Sequence, residues 1–230
     1  MTAGDLEFLV QALGEDPDDR APLEELSRDP EALDRLLDDP RLFARLLEAP
    51  ALLHVSPWFF YYVLVRRTFL DHGIERRRAA DYVGALLSYH LQKRGDRPRQ
   101  GGGVYLVDLV HAMREARTPW DAFALQTEIG DVALWLTGLF PDWVYYRRTY
   151  GRRPVDLEYY EAMGSRSWSA AASSETAGRL DLGEVLDYMA ERFPLMRQAL
   201  NDLVDEHLHL APRPGSVSGL CRQALWRVTN

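Results

Sequence analysis

The stretch Asp181–His207, DLGEVLDYMAERFPLMRQALNDLVDEH, places Leu182, Val185, Leu186, Met189, Phe193, Met196, Leu200, Leu203 and His207 three or four residues apart, counting Leu186 beside Val185. Such intervals line up on one stripe of an α-helix. Asp181 with Glu184 has the pattern of a capping box at the start. Pro194 predicts a kink, because its ring removes one helical hydrogen bond. A stripe this long needs other helices to cover it, and the rest of the chain supplies them.

Toward the N-terminus, Thr118-Pro119 opens a long apolar helix reaching about Phe140, where Pro141 stops it. Asp142 to Tyr150 makes a short helix closed by Gly151, and Pro154 to about Ala172 another. Gly130 and Gly164 fall inside these helical segments, which marks them as close helix crossings. The segments Gly130–Pro141 and Tyr159–Gly164 together look like one packing unit. Val104 to Ala116 reads as a helix, although VYLVDLV alone is compatible with a strand. Lys93 to Gly103, KRGDRPRQGGG, is a basic loop and the clearest break in the chain.

Before that loop, Glu75 to Leu91 sets Ala79, Val83, Leu86, Leu87 and His90 on one face. Ser56-Pro57 starts a helix whose stripe is Trp58, Tyr62, Val65 and Phe69, with Phe59, Val63 and Leu70 beside it and Gly73 at its end. The longest uncharged run, Ala49 to Val65, is 17 residues, and its helical part meets Arg66 after nine. A bilayer span needs about 20 apolar residues, so a buried core helix is expected and no membrane partner. No run alternates long enough to make a strand. The expected fold is all-α: a multi-helix bundle of about eight main helices.

The first fifty residues differ in charge. They hold 14 Asp and Glu against 5 Arg, while the remaining 180 carry 21 acids and 22 bases. Within them Asp29-Pro-Glu-Ala-Leu-Asp-Arg-Leu-Leu-Asp38 is followed at once by Asp39-Pro-Arg-Leu-Phe-Ala-Arg-Leu-Leu-Glu48, and Pro50 continues the period. Asp at an N-cap with Pro next starts a helix, and the following Asp-Pro ends it. Leu33, Leu36 and Leu37, then Phe43, Leu46 and Leu47, give each two-turn helix an apolar stripe. Helices this short need docking to persist. We divide the chain into an acidic short-helix segment, 1–50, docked on a helical bundle, 51–230.

Length and composition narrow the classes further. At 230 residues, 47% hydrophobic and 27% charged, the chain is neither disordered nor fibrous nor a disulfide miniprotein. One cysteine, Cys221, has no internal partner, and the acidic N-terminus lacks a signal-peptide pattern. Both point to a cytoplasmic setting. A net charge of −8 disfavours nucleic acid as a partner.

Three groups of residues could carry chemistry. Asp108-Leu-Val-His111 and Glu206-His-Leu-His209 each put an acid and an imidazole one helical turn apart, and two such side chains reach one metal ion. With Glu128, and Asp81 on an earlier helix, they make an order similar to that of ferritin-like di-iron or di-manganese proteins. Asp stands where Glu is usual at 81 and 108, and two extra helices separate Glu128 from Glu206. A second group is polar residues on apolar faces. Glu128 shares a face with Leu125, Val132 and Trp135, and Arg66 with Phe59, Val63 and Leu70. A buried Arg66–Glu128 pair, or a similar network fixing helix register, is the simplest way to satisfy both; the alternative is an active-site acid with a raised pKa in a helical pocket. The third group is Asp142–Pro154, where Tyr146, Arg147, Arg148, Arg152 and Arg153 suit an anionic small molecule. The more economical reading has those Arg clusters, with Arg76, Arg77 and Arg78 and the loop Lys93, Arg94, Arg97 and Arg99, meet the acidic N-terminal helices, within one chain or between two. The expected function is a binding or scaffold module for itself or a protein partner. The alternatives are a metal-dependent oxidoreductase and a regulator of anionic ligands.

Overall fold

The computed structural model describes residues 1–14, 16–48, 55–92, 106–144 and 156–208. Every described element is helical, as the spacing of apolar residues requires. The loop 93–103, His209, Cys221 and most of the Asp142–Pro154 segment lie outside the described residues, although 141–144 are helical. Among the described residues, no helix is long and apolar enough to cross a membrane.

The helices form two compact units, Met1–Gln92 and Lys93–Asn230. In the first, α1 (Ala3–Leu13) is followed by α2 (Arg20–Leu26), α3 (Pro30–Leu37), α4 (Pro40–Glu48), α5 (Pro57–Asp71) and α6 (Arg77–Gln92). The ten-residue repeat does what its chemistry dictates. Asp29 accepts the Ala32 N–H at 2.7 Å with Pro30 in the first turn, and Asp39 accepts the Arg41 N–H at 2.8 Å beside Pro40. The apolar stripe of α4 is displaced by one residue from the expected one. Leu42 and Leu46 are fully buried, whereas Leu47 is 39% exposed. The reason is that α4 packs against both α1 and α5, and the i, i+4 pair Leu42–Leu46 faces them.

Ser56 caps α5 by accepting the Phe59 N–H. At its far end Gly73 has φ 72°, the Ile74 N–H reaches the Phe69 carbonyl at 2.8 Å and the Gly73 N–H reaches Leu70 at 3.0 Å. This is a Schellman motif, and Ile74 seals it from a fully buried position. α5 and α6 cross closely at Gly84, where an added Cβ would stand 2.9 Å from the Tyr62 Cα.

The second unit contains α7 (Leu106–Met113), α8 (Pro119–Leu139), α9 (Leu157–Ala172), α10 (Glu175–Arg179), α11 (Gly183–Glu191) and α12 (Phe193–Leu203), then a π-helical turn over Val204–Leu208. α8 is central and packs on α7, α9, α10 and α12. Its start is the expected Thr118-Pro119, with a capping box between Thr118 and Asp121. Gly130 admits the Trp168 indole and Gly164 admits the Phe193 ring; a Cβ at either would stand 2.3 or 2.4 Å from those rings. Within the packing unit read from the sequence, Gly164 meets Ala133, where an added Cβ would stand 2.8 Å from the Ala133 Cβ; the Trp168 and Phe193 contacts lie beyond its bounds.

Two details at α11 and α12 differ from expectation. Asp181 makes no capping box with Glu184: it has φ 55° and closes α10, with the Leu182 N–H reaching the Ala177 carbonyl at 2.9 Å. Asp tolerates the left-handed region better than most residues, so it serves as the C-terminal stop, and α11 begins at Gly183 without a side-chain cap bond. Pro194 breaks the long helix instead of kinking it, since Arg192, at φ −106° and ψ 17°, leaves the helical region between α11 and α12.

Candidate functional site

Three helices of the first unit each contribute two polar side chains spaced four residues apart: Asp34 and Asp38 at α3, Tyr62 and Arg66 on α5, Arg77 and Asp81 on α6. Four-residue spacing puts both members of a pair on one face, and the three faces meet. Arg66 is only 5% exposed. Its Nε and Nη2 donate to the two oxygens of Asp38 at 2.8 and 2.9 Å, and its Nη1 donates to the Glu75 carbonyl at 2.6 Å. Arg77 donates through Nη2 to Asp38 Oδ2 at 2.7 Å and to the Asp34 carbonyl at 2.9 Å. Its Nε lies 3.1 Å from Asp34 Oδ2, and its Nη1 donates to the Tyr62 hydroxyl.

These contacts set the protonation states. Burial alone would push the Asp38 carboxyl up, but the Arg66 fork and the Arg77 charge outweigh it and hold Asp38 below the usual carboxylate range. Arg66 shifts in the matching sense: burial works against its charge, and Asp38 more than compensates. Tyr62 is pushed up to about 12, mainly by burial, with Arg77 opposing and Asp81 adding. Asp81 goes the other way from Asp38. Burial, with Asp34 nearby, raises it above the usual range despite the charges of Arg77, Arg66 and Arg78. The cluster binds a carboxylate in a planar fork.

A fully buried carboxylate ties the chain's start to this unit. Asp5 is fully buried; it accepts the Thr2 N–H at 2.6 Å, the Ser56 N–H at 2.6 Å and the Ser56 hydroxyl at 2.9 Å. Burial disfavours its charge, yet the four hydrogen bonds it shares with Thr2 and Ser56 hold its carboxyl below the ordinary value. In the second unit, Arg197 pairs with Glu161 at 2.5 Å and donates to Asn201 at 2.8 Å. The Asn201 amide in turn donates to the carbonyls of Thr137 and Gly138 at 2.9 and 2.6 Å. Those carbonyls belong to the last turn of α8, which has no intrahelical donors for them.

The residues read from the sequence are placed as follows. Asp108 and His111 on α7, Glu128 on α8 and Glu206 in the π-helical turn are all exposed, and the Glu206 carboxylate lies 3.6 Å from His207 Nε2. Among the described residues no group of three or more His, Cys, Asp or Glu is gathered to hold a metal ion. His209, Tyr146, Arg147, Arg148, Arg152 and Arg153 lie outside the described residues. The Arg66–Glu128 pair is corrected: Arg66 takes Asp38, and Glu128 is exposed. Position along α8 explains it: between Pro119 and Glu128 only Phe123 is buried, whereas from Ile129 to Leu139 every residue but Asp131 is, so Glu128 lies just outside the core although Val132 and Trp135 on its own stripe lie within it. Of the Arg76–Arg78 triplet, Arg77 does meet the acidic helix α3. Asp5, Asp34, Asp38 and Tyr62 carried no sequence signal of partnership beyond the charge imbalance of the first fifty residues.

The fold and this site define an all-α protein whose acidic N-terminal helices are built into a helical unit through arginine forks. No family model, curated protein or solved structure matches the chain.

Proposed function

We propose that the chain is a helical binding or scaffold module that self-associates or docks on a protein partner. The observation supporting this reading is Trp120, 56% exposed in the first turn of α8. Pro119 and the Thr118–Asp121 capping box fix that turn, and Phe123 lies against the indole with ring centroids 6.0 Å apart. A large aromatic held rigidly in water has little conformational entropy left to lose, which suits it as a binding anchor. A reducing compartment such as the cytoplasm suits a chain whose single cysteine has no thiol partner.

Sedimentation velocity over a concentration series, on the wild-type chain and on Trp120→Ser, tests the reading. A reversible dimer is expected, weakened about tenfold or more in the variant, as for a central interface aromatic. The thermal midpoint, taken at concentrations where both chains are monomeric, should be unchanged, since the side chain is mostly in water. A wild-type chain that stays monomeric at every concentration, or a dimer indifferent to Trp120→Ser, overturns self-association through Trp120.

A further inference from the structure

We infer that Arg66 and Arg77, the latter held by the Tyr62 hydroxyl, form a preorganised receptor for a carboxylate, which the chain fills in cis with Asp38. Both guanidiniums are held by groups other than Asp38. Arg66 is fixed by the Glu75 carbonyl and by burial, and Arg77 by the Asp34 carbonyl and carboxylate and by Tyr62. Three N–H groups then converge on one carboxylate at 2.7 to 2.9 Å, two of them as the planar fork of Arg66. The Asp38 side chain is 28% exposed, against 6% for Arg66. The Arg66 floor of the receptor is thus buried, while Arg77, 22% exposed, and the occupant border water. Asp38 is also the capping residue at the end of α3, so the ligand is an acid presented at a helix end. Asp34 and Asp81 stand beside the two arginines. Their charges offset those of the guanidiniums, which disfavours a doubly charged ligand, so the receptor takes a monocarboxylate in preference to a phosphate dianion.

Chemical rescue of the full chain tests this. Asp38→Ala empties the receptor while leaving its other contacts in place. Melting followed by circular dichroism compares sodium chloride with sodium formate at equal ionic strength, and the same pair on the wild type subtracts general salt effects. The Asp38→Ala chain should melt lower than wild type in chloride. Formate at about 0.2 M should raise its midpoint by roughly 4 °C, as for a site with a dissociation constant of order 20 mM. The gain should vanish in Asp38→Ala/Arg66→Met, and phosphate should restore less than formate. If Asp38→Ala is unfolded in chloride, recovery of helical signal in formate replaces the midpoint shift. Equal behaviour in formate and chloride, an equal gain in the wild type, or no recovery of an unfolded variant overturns the receptor. A larger rescue by phosphate overturns the carboxylate assignment.

Discussion

Asp5 shows how one side chain can join two helix starts. Its carboxylate completes the capping box of α1 with Thr2 and also holds the N–H and hydroxyl of Ser56, which itself caps α5. Asp5→Ala leaves the Ser56 N–H without its acceptor, and losses of hydrogen bonds to a charged group run to about 1.5–3 kcal/mol. Urea unfolding should show a loss of that size. The pH dependence follows from the same contacts. Asp5 and Asp38 have lowered folded values, so their stabilisation is complete above the unfolded aspartate value of about 3.9 and drains away as pH falls through the folded ones. Asp81 has the opposite sign. Its folded value is raised, so ionising it costs stability as pH rises through that value. Asp81→Asn should therefore raise the thermal midpoint at neutral pH and lose its advantage below about pH 4. An Asp81→Asn chain less stable than wild type at pH 7 would show instead that the charge is needed.

Glycine positions at the helix crossings set the spacing of elements in the second unit. At Gly130 a methyl group would stand 2.3 Å from Trp168, a fully buried ring whose Nε1 also donates to Asp131 at 3.1 Å. At Gly164 it would stand 2.4 Å from Phe193 and 2.8 Å from the Ala133 Cβ. Neither ring is a flexible end that can swing aside. Gly130→Ala and Gly164→Ala should each cost about 1–3 kcal/mol or more, despite alanine's better helix propensity. Gly178 on α10 has nothing within 4 Å of its added Cβ, so Gly178→Ala should be neutral or gain up to about 1 kcal/mol. Denaturant midpoints of the three variants decide it; equal effects at all three would mean that the crossings are not set by the glycines. These crossings were legible, because a glycine inside a strong helical pattern has few other reasons to be there. Helix ends at Ser56-Pro57 and Thr118-Pro119 were legible for a similar reason. Asp181 was not, because the same Asp can start one helix or end another, and only its backbone angle separates the two. Nor was the break at Arg192, since a proline in the first turn of a new helix and one inside a kinked helix read alike.

Across the whole chain, the acidity of residues 1–50 is absorbed partly by arginines that lie later in the sequence. Arg66 and Asp38 are 28 positions apart, and Arg77 and Asp38 are 39 apart. Local spacing carries no trace of such pairs; only the charge imbalance hinted at them, and it named no partners. The same separation makes the acidic helices part of a core and not an appendage. Leu9, Leu42 and Leu46 are fully buried, and Val10 and Leu13 nearly so, with α1 and α4 packed on each other and α4 on α5. Five such side chains at about 2 kcal/mol each amount to roughly 10 kcal/mol, comparable with the whole stability of an ordinary domain. Deleting residues 1–48 should therefore do more than subtract four short helices. Phe59 and its neighbours on α5 would lose their cover, and Arg66 would lose the carboxylate that its fork holds. The truncated chain should bind the dye ANS and lose more helical signal than the deleted residues contribute, because α5 and α6 melt with their partners. A truncated chain with little dye binding and only the subtracted helicity missing would show that α5 and α6 hold together unaided.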